Sequence, residues 1–272
     1  MKRLLLALGL VLLVGLLWAG TAIAEVRSGA NPQVAEDQVV DRDLFVAGET
    51  VEIRGTVNGN VFAAAQTIRV SGTINGDIYA AAEAIEISGN VRDDIQVAAR
   101  TLTLKGAEVG DGVVVAAETA SLNEQSKIGG GLLFATKTLD GNAPIGRGIV
   151  GAGDEINVNA TVGHEVRVDA GQLSFGERAD VKDDVTYRSG NDAAIAEGAE
   201  IVGQVQRSYR RDGDSWMAAW LVRFAGGFLI WSYLAALVTG VVLLAIFKRP
   251  TLAIVDTLTA QTKAAALCGL VT

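Results

Sequence analysis

Gly55-Thr56-Val57-Asn58-Gly59-Asn60-Val61 returns as Gly72-Thr73-Ile74-Asn75-Gly76-Asp77-Ile78 and again as Gly89-Asn90-Val91-Arg92-Asp93-Asp94-Ile95, each copy 17 residues after the last. A fixed period of this size marks a solenoid, in which each repeat buries its apolar side only by stacking on its neighbours. Between the copies runs a second pattern: Val46 to Ile53, Ala63 to Val70, Ala80 to Ile87, Val97 to Leu104 and Val115 to Leu122. Within it Val51/Ile53, Ile68/Val70, Ile85/Ile87 and Leu102/Leu104 alternate with polar residues, which is the signature of strands with one buried face. The Asn-Gly, Gly-Asp and Asp-Asp pairs fall where the chain must turn. Recurrent Gly and β-branched residues argue against helix.

Stacking one repeat on the next predicts parallel ladders about 4.8 Å apart around a Val/Ile/Leu interior. A column of small residues, Ala47, Ala64, Ala81, Ala98, Ala116, Ala135, Ala152 and Ala170, predicts a wall of that interior where only a small side chain fits. The expected solenoid domain is 38–206, preceded by a polar tail over 25–37.

Working outward, both ends of the 272-residue chain are apolar. Met1, Lys2 and Arg3, then Leu4 to Leu17, then Ala22-Ile23-Ala24 follow the order of a secretory signal peptide over 1–24, with Ala22 and Ala24 at the cleavage site. Phe224 to Phe247 supplies 24 residues without formal charge, long enough for a transmembrane helix, and Lys248-Arg249-Pro250 follows. Segment 207–223 is a juxtamembrane stretch, with Trp216 and Trp220 on one side of a possible interfacial helix. Residues 248–272 then form a cytoplasmic segment whose apolar end, Ala264 to Thr272, reads as the start of a second span. This order places the solenoid on the extracytoplasmic side of a cell membrane.

Residues 25–215 carry 17 Lys and Arg against 30 Asp and Glu, so nucleic acid and anionic lipid are disfavoured partners for the solenoid. The single cysteine, Cys268, excludes an intrachain disulfide, and one His with one Cys excludes a His/Cys zinc site.

The alternation of G-x-[VI]-x-G-[ND]-[VI] with [VA]-A-[AG]-x-x-[VIL]-x-[VIL] resembles the bactofilin-like, polymer-forming cytoskeletal repeat proteins, above all the exported variants with a signal peptide and carboxy-terminal membrane helices. The resemblance covers about residues 38–206. It implies an all-β, right-handed parallel β-helix and nucleotide-independent, end-to-end self-association. A helical span directly after the solenoid departs from the cytoplasmic members.

Site chemistry is sparse. Val39, Val40, Leu44 and Phe45 fall in the first expected coil, and an open solenoid end exposes unpaired backbone, so they form the candidate self-association end. His164, the one histidine, follows a turn glycine and reads as a solvated turn residue rather than a base. Asp77, Asp93, Asp94, Asp111, Asp183 and Asp184 would suit a polysaccharide-active β-helix or calcium binding, but they occupy turn positions where Asp is favoured for local hydrogen bonds. Tyr79 and Phe62 are the aromatics best placed to grip a sugar ring. The expectation is a non-enzymatic envelope scaffold with no catalytic residue, metal or cofactor, integral in the membrane, associating with itself or envelope proteins. Two rivals stand beside it: a polysaccharide-binding or polysaccharide-active β-helix, and the ectodomain of a multi-span sensory or transport-associated protein.

Overall fold

A computed structural model describes residues 24–209. Every strand pairing in it is parallel, and eleven strands stack in chain order from Ala24–Ser28 at one end to Val205–Tyr209 at the other. The described residues form a β-solenoid of eleven coils. The signal segment, apart from Ala24, and the expected helix over 224–247 lie outside the described residues.

The register fixes the coil length. Leu44 pairs Val61, which pairs Ile78, which pairs Ile95, each 17 residues apart, and the step then lengthens to Val113 and to Leu132 before returning to 17 at Ile149 and Val166. The longer coils place their extra residues mainly at one corner, the coil from Val185 to Val205 adding one more between Arg188 and Ala194. Ala35-Glu36-Asp37-Gln38, Asn123-Glu124-Gln125-Ser126, Gly176-Glu177-Arg178-Ala179 and Ala196-Glu197-Gly198-Ala199 each close a turn there, the fourth residue's N–H donating to the first residue's carbonyl at 3.0 Å. Gly106, with φ of 80°, supplies the shorter insertion at the same corner, a conformation that favours glycine.

Each coil has three sides. A long strand such as Val61–Val70 serves two of them: its ladder to Ile78–Ile87 skips Gln66 and Glu83, and the inward alternation changes phase there, so the strand turns a corner. A two-residue strand such as Thr73–Ile74 makes the third side. Isolated bridges through Ile145 join the short strands on either side, so the ladder Val40, Val57, Ile74, Val91, Val109, Ile128, Ile145, Val162, Val181 is continuous. With Leu44/Val61/Ile78, Val51/Ile68/Ile85 and Ile53/Val70/Ile87 it makes a single apolar core, these residues being at most 3% exposed.

Three sequence expectations are corrected. Segment 25–37 is not a tail: Ala24–Ser28 pairs Asp43–Ala47 and Gln33–Val34 pairs Glu52–Ile53, so these residues form the first coil. The alanine column lies on the outward side of its strands, with Ala47, Ala98 and Ala116 exposed, although Ala152 in the same register is buried at 2%; the inward neighbours are Ala63, Ala80, Val97 and Val115. Ala170 is not in that column either, because Ala152 pairs Asp169 while Ala170 pairs Gly153. Successive alanines all tolerate either face, so composition left the pleat direction open.

Candidate functional site

The turn acids belong to a ladder along the stack. Asp43 Oδ1 accepts the N–H of Asn60 at 2.8 Å, Asn60 Oδ1 that of Asp77 at 2.9 Å, Asp77 Oδ1 that of Asp94 at 2.9 Å, and Asp94 Oδ1 that of Gly112 at 2.7 Å. A side-chain oxygen thus satisfies a backbone donor of the next coil that the turn leaves without a ladder partner. The second oxygen of Asp77 accepts from the Tyr79 hydroxyl at 3.1 Å. Farther along, Asp184 Oδ1 accepts the Gln204 N–H at 2.7 Å, Asp183 Oδ1 accepts the Asp184 N–H at 2.8 Å, and Asp111 pairs with Arg147 at 3.4 Å. Asp93 is exposed in its turn. These acids follow the solenoid axis and do not converge on a point; among the described residues no three His, Cys, Asp or Glu side chains form a metal-holding group. His164 is exposed in a turn, and its backbone N–H donates to the Arg147 carbonyl at 3.2 Å.

The aromatics also stack on one another. Phe45 and Phe62 lie 4.6 Å apart at 10° between planes, Phe62 and Tyr79 5.0 Å apart at 6°. Their faces are therefore occupied by each other and only their edges point outward, which removes Phe62 as a platform for a sugar ring. Burial, then the hydrogen bond to Asp77, then the charges of Asp77 and Asp94 push the Tyr79 hydroxyl above its ordinary pKa of 10.0.

The proposed association end is displaced. Leu44 and Val40 are core residues at 0% and 1% exposure, and Phe45 is held in the aromatic stack; of the four only Val39 is exposed. The first coil covers them, and Arg27 sits over the interior in the column of Val46. Its guanidinium donates to Glu25 at 2.7 Å, to Gln38 at 3.1 Å and to the Gln33 carbonyl. The opposite end repeats the device. Arg207 follows Tyr187 in the same column and donates to the Ser189 carbonyl at 3.2 Å, to Asp192 at 2.6 Å and to the Gly190 carbonyl. Inward-placed charges of this kind disfavour edge-to-edge growth of a sheet.

Two surfaces remain that the sequence did not single out. One is a shallow recess of about 380 Å³ on the short-strand side, lined by Asn75, Arg92, Glu108, Lys127 and the small Gly110 and Gly129. A Cβ at 110 or 129 would collide with the carbonyl of the coil before it, Arg92 or Gly110, so glycine there is a requirement of coil spacing. The other is the outward face of the first half of each long strand. Its leading column reads Val26, Phe45, Phe62, Tyr79, Gln96, Val114, Leu133, Val150 across eight successive coils, beside the alanine column. Val26, Val114, Leu133 and Val150 are 52%, 41%, 37% and 41% exposed. In the ninth coil the two columns change to Arg167 and Asp169, and Arg188 of the tenth lies 3.7 Å from Asp169.

Searches against protein-family models, curated proteins and solved structures each find no match to the chain.

Proposed function

We propose that the chain is a non-enzymatic structural protein of the cell envelope: an exported solenoid, tethered to a membrane through 224–247, that works by association with itself or with envelope proteins. The reading takes the coils as right-handed and the protein as bactofilin-like, as the repeat resemblance implies. What supports it best is the use made of the polar turn residues. Asp43, Asn60, Asp77 and Asp94 hold successive coils together, while a side of the stack eight coils long is left mostly apolar, with Gln96 the one polar residue of its leading column. Such a division suits a scaffold that offers a surface. That arginines cover both core ends supports association through the sides of the stack rather than at Val39, Val40, Leu44 and Phe45.

A cysteine in place of exposed Thr161, in a Cys268→Ser background, tests the placement. A membrane-impermeant maleimide should label it on intact cells. Labelling only after lysis overturns the extracytoplasmic assignment.

The recess gives specific support to a second reading, polysaccharide binding, because Asn75, Arg92, Glu108 and Lys127 present both donors and acceptors in one concavity. Co-sedimentation with insoluble envelope polysaccharide, lost in Arg92→Ala, would favour it; equal sedimentation of both forms would remove it.

A further inference from the structure

We infer that the apolar outward face is a docking surface for a second copy of this chain, packed against the same face with the two stacks antiparallel.

The face is large and flat. Eight coils at about 4.8 Å and a five-residue strand at about 3.3 Å per residue give a surface near 38 by 16 Å, or roughly 600 Å². That lies at the upper end of the apolar patches ordinarily left in water, and two copies together reach the lower bound of specific interfaces, about 1,200 Å². The relief suits sheet-on-sheet packing: alanines fill one column, and the stacked rings of Phe45, Phe62 and Tyr79 present their edges in the other.

Charge selects the partner and its direction. The corner beside the alanine column carries, coil by coil from the second, Glu49, Gln66, Glu83, Arg100, Glu118, Lys137 and Asp154. The apolar patch occupies coils one to eight, so a two-fold axis through its centre passes between coils four and five. Those coils contribute Glu83 and Arg100, already an exposed ion pair at 2.6 Å. The axis sets this pair against its own copy in reverse order, closing a ring of four alternating charges, and it also sets Glu49 against Lys137. Parallel stacks would bring this corner against the other rim, Asp43, Asn60, Asp77 and Asp94, where Arg100 would meet Asp94 but acid would meet acid at both Glu49/Asp43 and Glu83/Asp77. In the antiparallel arrangement Asp77 meets Asp94 of the other copy, one acid contact against the two opposite-charge contacts at the other rim. Arg167 and Asp169 bound the patch and fix its centre.

The inference rests on the self-association part of the scaffold reading and names its surface; it is independent of export. The test uses two full chains in a Cys268→Ser background, one with Ala47→Cys and one with Ala135→Cys, mixed in detergent and in vesicles and treated with a short bis-maleimide. The expected product is the mixed Ala47→Cys/Ala135→Cys dimer, with little of either homodimer, and Leu133→Arg should weaken dimerisation at least tenfold in analytical ultracentrifugation while leaving the circular dichroism unchanged. A cross-linked Ala47→Cys homodimer overturns the antiparallel arrangement. A monomer overturns the inference altogether, whether a single cysteine at Val114 is freely labelled, is shielded only in vesicles by lipid, or is shielded everywhere by the chain's own apolar segments. Failure here leaves the Thr161 labelling result standing, and failure of that labelling leaves the cross-link standing.

Discussion

The ring of Phe134 fills the space that a side chain at Gly151 would need: the two are ladder partners in one inward column, and a Cβ at 151 would fall 2.5 Å from Phe134 Cδ1 and against the Phe134 carbonyl. Between Arg27 and Arg207 at its two ends the column otherwise holds Val46, Ala63, Ala80, Val97, Val115, Val168 and Tyr187, so Phe134 is balanced by one absent side chain on the next coil.

Gly151→Ala should therefore destabilise the solenoid by about 1–3 kcal/mol through overpacking. Phe134→Ala should cost about 3–5 kcal/mol, since it empties a buried site. Phe134→Val combined with Gly151→Ala restores the Val/Ala pairing already present between Val97 and Ala80, and should be more stable than the sum of the single changes by about 1 kcal/mol or more. Chemical denaturation of the parent, Phe134→Val, Gly151→Ala and the double variant measures the cycle; strict additivity would mean that the two sites do not share space.

Tyr79 links the aromatic stack to alkaline stability. Its raised pKa means that the folded protein keeps the phenol proton longer than the unfolded chain does. The associated stability is fully present below the ordinary tyrosine value of 10.0 and is lost as pH rises through the folded value. Thermal unfolding followed with pH should show this loss in the parent protein and less of it in Tyr79→Phe, which keeps the stack and removes the titrating hydroxyl. Equal alkaline loss in both would contradict the assignment.

Asp94→Ala leaves the Gly112 N–H without its 2.7 Å acceptor and should cost roughly 1–2 kcal/mol. Asp94→Asn keeps a carbonyl oxygen in place and should be nearly neutral, as Asn60 is at the equivalent position. The denaturation midpoint separates these outcomes; a large loss in the Asn variant would show that charge, not acceptance, matters there.

The repeat made the fold legible wherever β-branched residues alternate, as in Ile68/Val70 and Ile85/Ile87, because only one pleat direction buries them. It failed in the first coil, where Val26 and Val34 stand alone among polar residues and Arg27 replaces an apolar residue over the core. A signal was present: Ala35-Glu36-Asp37-Gln38 has the same turn length, with Glu second, as the turns at Asn123, Gly176 and Ala196. The turn acids were legible as structural residues, whereas their reach into the next coil was not, since it depends on stacking. The apolar face escaped notice because its column runs through residues as different as Phe45, Phe62, Gln96, Val114 and Leu133, which only the register of the stack brings side by side.

Electron microscopy of the purified full chain over a range of concentrations tests the central claim most directly, that this is a finite stack of coils that associates by its side. The account predicts solenoid units about 50 Å long, eleven coils at ladder spacing, lying side by side in pairs whose length does not change with concentration. Filaments that lengthen end to end as concentration rises would contradict it.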